Sequence, residues 1–162
     1  MLKIGDRLAD TEITLVTEDG QDAVGMQAFL AGKKVALFAM PGAFTSTCSG
    51  SHLPNINRNM DGLKAKGIDE VAVLVVNDTF VVREWGKRSG AFSAGITMIS
   101  DPMSEFTKST GLAFSVPPLG FVNRSQRYAA LLNDGIVEQF LLEESRGQVA
   151  SSGADHLLEA MG

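Results

Sequence analysis

The chain has 162 residues, a formal net charge of −5 and a pI near 5.0. That length fits one domain, residues 1–162, with a substantial core. An acidic chain lacks the basic surface that nucleic acid requires, and no apolar run approaches the roughly 20 residues of a membrane span.

In chain order, "EITLVTEDGQDAVGM" (12–26) reads as a hairpin turning at Asp19-Gly20. "KKVALFAM" (33–40) is short, apolar and free of polar alternation, the pattern of a strand buried on both faces. Pro41-Gly42 breaks it, and a helical pattern runs from near Thr45 toward Lys66. "VAVLVVN" (71–77) is a second buried strand. Asp78 is the expected N-cap of a helix with Phe80, Val81 and Trp85 on one face. "AGITMIS" (94–100) is a third strand, and the helix after "SDP" places Pro102 in its first turn. "RYAALLNDGIVEQFLL" (127–142) is a hairpin about Asn133-Asp134-Gly135, and "GADHLLEAMG" closes the chain as a helix. Strand–helix–strand order followed by a late hairpin predicts an α/β fold: a mixed central sheet with helices on both faces. No internal repeat or linker divides it.

Cys48 is the only cysteine, so no internal disulfide can form. The start "MLKIGDRLAD" has no long apolar segment of the signal-peptide kind. These features point to a reducing compartment, the cytoplasm or an organelle after presequence removal. In "AMPGAFTSTCSGSHLPN" (39–55) the thiol falls just past a central strand, in or near the first helical turn. Open α/β sheets bind ligands at that edge, and a helix N-terminus stabilises a thiolate. Thr45, three residues earlier, is in reach as a cap, as a partner of the sulfur, or as both. A buried, inert cysteine is the competing reading. His52, four residues later on the same helical face, adds a third: a Cys–His nucleophile pair of the hydrolase kind. A zinc site there would need several carboxylates as well, since the chain has only two histidines.

The stretch "PGAFTSTC" resembles the peroxiredoxin pattern Pro-x-x-x-Thr-x-x-Cys, through Pro41, Thr45 and Cys48. With "HLP" behind it, it is similar to the type-five branch, which includes the plant type-two enzymes. "VVNDTFVVREWGK", "SDPMSEFTKSTGL" and "RSQRYAALLNDGIVEQFLLEE" follow that branch in the same order, so the likeness covers nearly the whole chain. The resemblance implies a thioredoxin-like fold and reduction of hydroperoxides through a cysteine sulfenic acid. It implies Cys48 as the attacking cysteine, Thr45 as its hydroxyl partner, Pro41 as the shield and Arg127 as the charge that completes the site. Arg124 competes with Arg127, and the "R-Y" ahead of the hairpin favours Arg127.

Phe44, Phe121 and Gly42 are the expected substrate-side residues. His52 is expected to serve in helix packing or hydrogen bonding rather than as a base. Relatives with a second, resolving cysteine carry it near Val73 or near Ser151, and neither position is cysteine here. The resemblance is therefore to one-cysteine members. It implies no bound cofactor or metal, and resolution by an external thiol, with glutathione and glutaredoxin favoured over thioredoxin. It also implies a homodimer, for which "AFSVPPLGF" (113–121) and Phe44 are candidate contacts. A redox-inert binding module on the same fold is the alternative.

Overall fold

The structure is a computed structural model describing residues 1–162. Its centre is β3 (Lys34–Ala39), which pairs in parallel with β4 (Glu70–Val75), itself parallel to β5 (Thr97–Ser100). Antiparallel strands complete each side: the hairpin of β1 (Glu12–Val16) and β2 (Gln21–Gly25) beyond β5, and that of β8 (Tyr128–Asn133) and β9 (Ile136–Leu142) beyond β3. The order is β2-β1-β5-β4-β3-β8-β9. This is the expected mixed sheet.

Successive residues of a strand point to opposite faces, so a strand with core on both sides must be apolar throughout. In β3, Ala36 and Phe38 join the core beneath α2 (Leu53–Arg58), α4 (Thr79–Arg88) and α7 (Ala154–Met161), built from Ile56, Trp85 and Leu157. Val35, Leu37 and Ala39 face the other core, closed by Phe29 and Leu30 of α1 (Met26–Leu30) and Phe106 of α6 (Glu105–Ser109). The remaining helices are the short α3 (Met60–Ala65) and α5 (Ala91–Ala94).

Local chemistry refines several expectations. The Asp134-Gly135 turn has both central residues at positive φ (51° and 80°), the geometry that matches strand twist in a two-residue hairpin loop. The first hairpin turns at residues 17–20 as expected. It is Thr17 that holds it, its hydroxyl accepting from the Gly20 N–H at 3.0 Å. Asp78 caps α4, accepting from Val81 N–H at 2.9 Å, while Phe80 is 76% exposed instead of sharing the buried face with Trp85. Pro102 lies ahead of α6 rather than in its first turn, because Asp101 reaches over the intervening residues to accept from the Phe106 and Thr107 N–H groups. The long helix expected from Thr45 to Lys66 is broken into a π-helical turn (Cys48–His52), α2 and α3, the last two separated by Asn59 with a non-helical backbone. "AFSVPPLGF" forms β6 (Ala113–Val116), which pairs with β7 (Phe121–Ser125) in a two-stranded ribbon not anticipated from the sequence.

Candidate active site

β3, β4, β5 and β9 all run to one edge of the sheet, where β8 begins. The loop after β3 crosses that edge. Met40 N–H still bonds to Leu74, and the Asn77 side chain accepts from Ala43 N–H at 2.9 Å. Arg124 of β7 reaches across to donate to the Pro41 carbonyl at 3.0 Å while its guanidinium stacks on Phe121, 4.8 Å from the ring centre. Gly42 makes that approach possible, since a Cβ there would collide with the Arg124 Nη1. Phe44 turns the chain at φ 60°, with half of its surface exposed.

Cys48 opens the π-helical turn and is buried. Here Leu53 N–H bonds back to the Cys48 carbonyl, five residues away, so the turn carries one residue more than an α-helical one. The adjacent Ser49 hydroxyl accepts from the Trp85 indole N–H at 3.0 Å and ties this turn to α4.

Arg127, the residue ahead of β8, is buried and carries the positive charge at the sulfur: its Nη2 lies 3.1 Å from Cys48 Sγ. The same Nη2 and the Nε both donate to the Arg146 carbonyl, at 3.1 and 3.3 Å. Nη1 lies 2.9 Å from His52 Nδ1. Arginine has only donors, so Nδ1 accepts and the imidazole proton sits on Nε2, which donates to the Ser152 carbonyl at 2.9 Å. Burial, reinforced by the Arg127 charge, depresses the His52 pKa to about 4, so the ring is neutral near pH 7. The ring also meets Phe38 edge-on, 5.8 Å between centroids. Both ring nitrogens are engaged away from the sulfur, which leaves no base for a Cys–His hydrolase.

Glu143, directly after β9, organises the segment carrying Ser152. Its carboxylate accepts from the N–H groups of Ala150, Ser151 and Ser152 and from the Ser152 hydroxyl. Burial alone would raise its pKa; the hydroxyl and these N–H groups outweigh that and hold it below the usual carboxylate value.

The Thr45 hydroxyl donates to the Gly42 carbonyl at 2.7 Å. It neither caps the helix nor bonds to the sulfur here, because the loop turns it back on itself. Beside the buried sulfur is a hollow of about 230 Å³ lined by Pro41, Thr45, Thr47, Leu119, Phe121 and Arg127, among others. Phe44 and Gly42 are outside that lining. Of the two arginines weighed from the sequence, Arg127 meets the sulfur and Arg124 braces the loop. Glu143 and the 146–152 carbonyls carried no sequence signal, since acids and backbone groups near a strand end are ordinary.

The family model described as Redoxin matches residues 3–158. The chain is 38% identical over 164 residues to "Peroxiredoxin-2E-2, chloroplastic" of Oryza sativa subsp. japonica, covering 99% of this chain and 72% of that one. It is 37% identical over 159 residues to "Peroxiredoxin-2C" of the same plant, covering 98% and 97%. The chain belongs to the peroxiredoxins. Among solved structures, the reduced Prx3 of Vibrio vulnificus in complex with hydrogen peroxide superposes on this peroxiredoxin with a TM-score of 0.93 and 38% identity, each chain fully covered. The fold is thus the thioredoxin-like redoxin fold, and the protein is a thiol peroxidase of the peroxiredoxin type. No helix is long and apolar enough to cross a membrane.

Proposed function

We propose that this peroxiredoxin reduces hydrogen peroxide and alkyl hydroperoxides at Cys48, and that an external thiol restores the cysteine. The observation that carries the reading is the Arg127 N–H group 3.1 Å from the sulfur, beside a hollow that opens at Pro41 and Thr45. The thiolate attacks one peroxide oxygen and the O–O bond breaks. The departing hydroxide or alkoxide takes up a proton, and the sulfur becomes a sulfenic acid. Negative charge moves from sulfur to the leaving oxygen, and a fixed guanidinium along that path favours the transition state. Of the five N–H bonds of Arg127, one on Nη1 has no protein acceptor and is free for the peroxide. Thr45 supplies a hydroxyl at the hollow and Pro41 shields it. Phe121 and Leu119 form a rim suited to an alkyl group.

A lone cysteine leaves resolution to a second molecule. A thiol R–SH attacks the sulfenic sulfur to give a mixed disulfide and water, and a second thiol releases Cys48. We favour glutathione with glutaredoxin over thioredoxin, in a reducing compartment, the cytoplasm in our reading. No cofactor is required. The exposed Phe44, Leu119 and Val122 beside the site suit a homodimer contact.

Intact mass after one equivalent of peroxide tests this. One added oxygen is expected without thiol, and one glutathione adduct when glutathione is supplied. No mass change would exclude Cys48 as the attacking group, and turnover with thioredoxin but not glutathione and glutaredoxin would exclude the favoured reductant. Cys48→Ser should abolish peroxide consumption, and light scattering at high concentration should report a dimer.

A further inference from the structure

Arg127 is buried, yet no carboxylate pairs with it: it takes part in none of the ion pairs of the structure. Its orienting acceptors are the Arg146 carbonyl and a neutral imidazole nitrogen. A buried guanidinium is commonly held by a carboxylate, because that geometry gives two charge-assisted hydrogen bonds. A carboxylate here would also cancel much of the positive charge beside the sulfur. A neutral acceptor aims the same N–H groups and leaves the charge intact for the thiolate and for the oxygen that departs from it.

An imidazole serves as acceptor only in one tautomer, and its environment sets which. The Ser152 carbonyl can only accept, so it requires the proton on Nε2 and leaves the lone pair on Nδ1 facing Arg127. That carbonyl is held by its own segment, whose N–H groups and hydroxyl converge on Glu143. The chain of contacts runs Glu143, Ser152, His52, Arg127, Cys48. Glu143's negative charge is kept three contacts away from the guanidinium, spent on N–H groups and a hydroxyl.

We infer that His52 is a positioning residue that orients Arg127 without neutralising it, in the tautomer imposed by the Glu143-anchored Ser152 carbonyl. This rests on the peroxidase reading of Cys48 and specifies how its arginine is held.

Three substitutions separate position from charge. His52→Asn places a neutral amide oxygen near the Nδ1 position. His52→Gln reaches toward Ser152 and leaves Arg127 without its acceptor. His52→Asp holds Arg127 with an anion. The second-order rate with hydrogen peroxide can be followed by the fluorescence of Trp85, the only tryptophan, whose indole bonds to Ser49 beside the sulfur. The Asn variant should stay within about threefold of the parent, and the Gln and Asp variants should each fall by about tenfold or more, part of the roughly 10²–10³-fold that loss of a positioned donor itself costs. An Asp variant at the parent rate, or an Asn variant as slow as Gln with native circular dichroism, would overturn the inference. Imidazole ¹⁵N spectra of the unmodified protein decide independently of any variant's folding: the Nε2–H tautomer is expected, and Nδ1–H would overturn the inference. Failure of the peroxidase reading looks different, as no peroxide consumption by the parent with the Nε2–H tautomer intact.

Discussion

Asp101 and Glu143 make an instructive pair. Each follows the last residue of a strand, β5 and β9, at the same edge of the sheet, and each is almost wholly buried. Each has its carboxylate satisfied by backbone N–H groups and a hydroxyl of a segment a few residues on: Phe106 and Thr107 for Asp101, Ala150 to Ser152 for Glu143. What differs is where the held segment leads. Behind Asp101 is the start of α6, which carries Phe106 into the core. Behind Glu143 is the carbonyl that fixes His52. The same local device therefore serves stability at one place and alignment of a reactive charge at the other, and only the downstream contacts tell them apart.

Alanine at each acid should break the pair most sharply. Asp101→Ala leaves buried N–H groups unpaired and should cost about 2–4 kcal/mol in denaturant unfolding; the peroxide rate of the folded fraction should stay unchanged. Glu143→Ala should cost stability on a similar scale and also slow peroxide reduction by about tenfold. Equal rates for the two variants would show that the Glu143 segment does no more than the Asp101 one.

Acid titration sharpens the contrast on the His52 side. In the unfolded chain His52 protonates near its ordinary value of 6.5, and in the folded protein only near 4. Between those values the unfolded state binds the extra proton, so stability present above about pH 6.5 is lost as pH falls toward 4. The loss is about 3 kcal/mol. Arg127, Glu143 and Asp155 are the charged groups facing the ring. Unfolding free energies measured across this window should slope for the parent and lie flatter for His52→Asn.

Smaller effects are expected on the opposite flank of the sulfur. Gly42→Ala should displace Arg124 from the Pro41 carbonyl and lower both stability and rate modestly, by about 1–2 kcal/mol and a few-fold. Gly147→Ala, where a Cβ meets nothing, should be silent. In the remote hairpin, Thr17→Val should cost about 1 kcal/mol with no change in rate.

The sheet was readable because its central strands are uniformly apolar, and the positions of Cys48, Pro41, Thr45 and Arg127 were readable from one compact motif and the "R-Y" ahead of a strong hairpin signal. Periodicity failed where chain geometry departs from the α-helical repeat. Cys48 and His52 looked like ordinary neighbours four apart, but a π turn lies between them and directs the ring to Arg127. The short ribbon of β6 and β7 was hidden by its Pro-Pro pair, which reads as a loop. Phe80 looked like core because its spacing from other apolar residues fits a helix face, although α4 buries only Val82, Trp85 and Gly86. Glu143 could not be found by composition at all, since its partners are backbone groups.

The extra residue of the π turn can also be viewed as an angular offset. Each residue of an α-helix advances the side chain by about 100°, and Leu53 and Ile56 downstream are fixed in the core. Deleting one residue between Cys48 and His52 would therefore leave the back of the helix in place and rotate its front by that angle, carrying the sulfur away from Arg127. Insertions and deletions that a surface turn absorbs without notice would here change which atom faces the charge, so the length of "CSGSH" is under a tighter constraint than the identity of its middle residues.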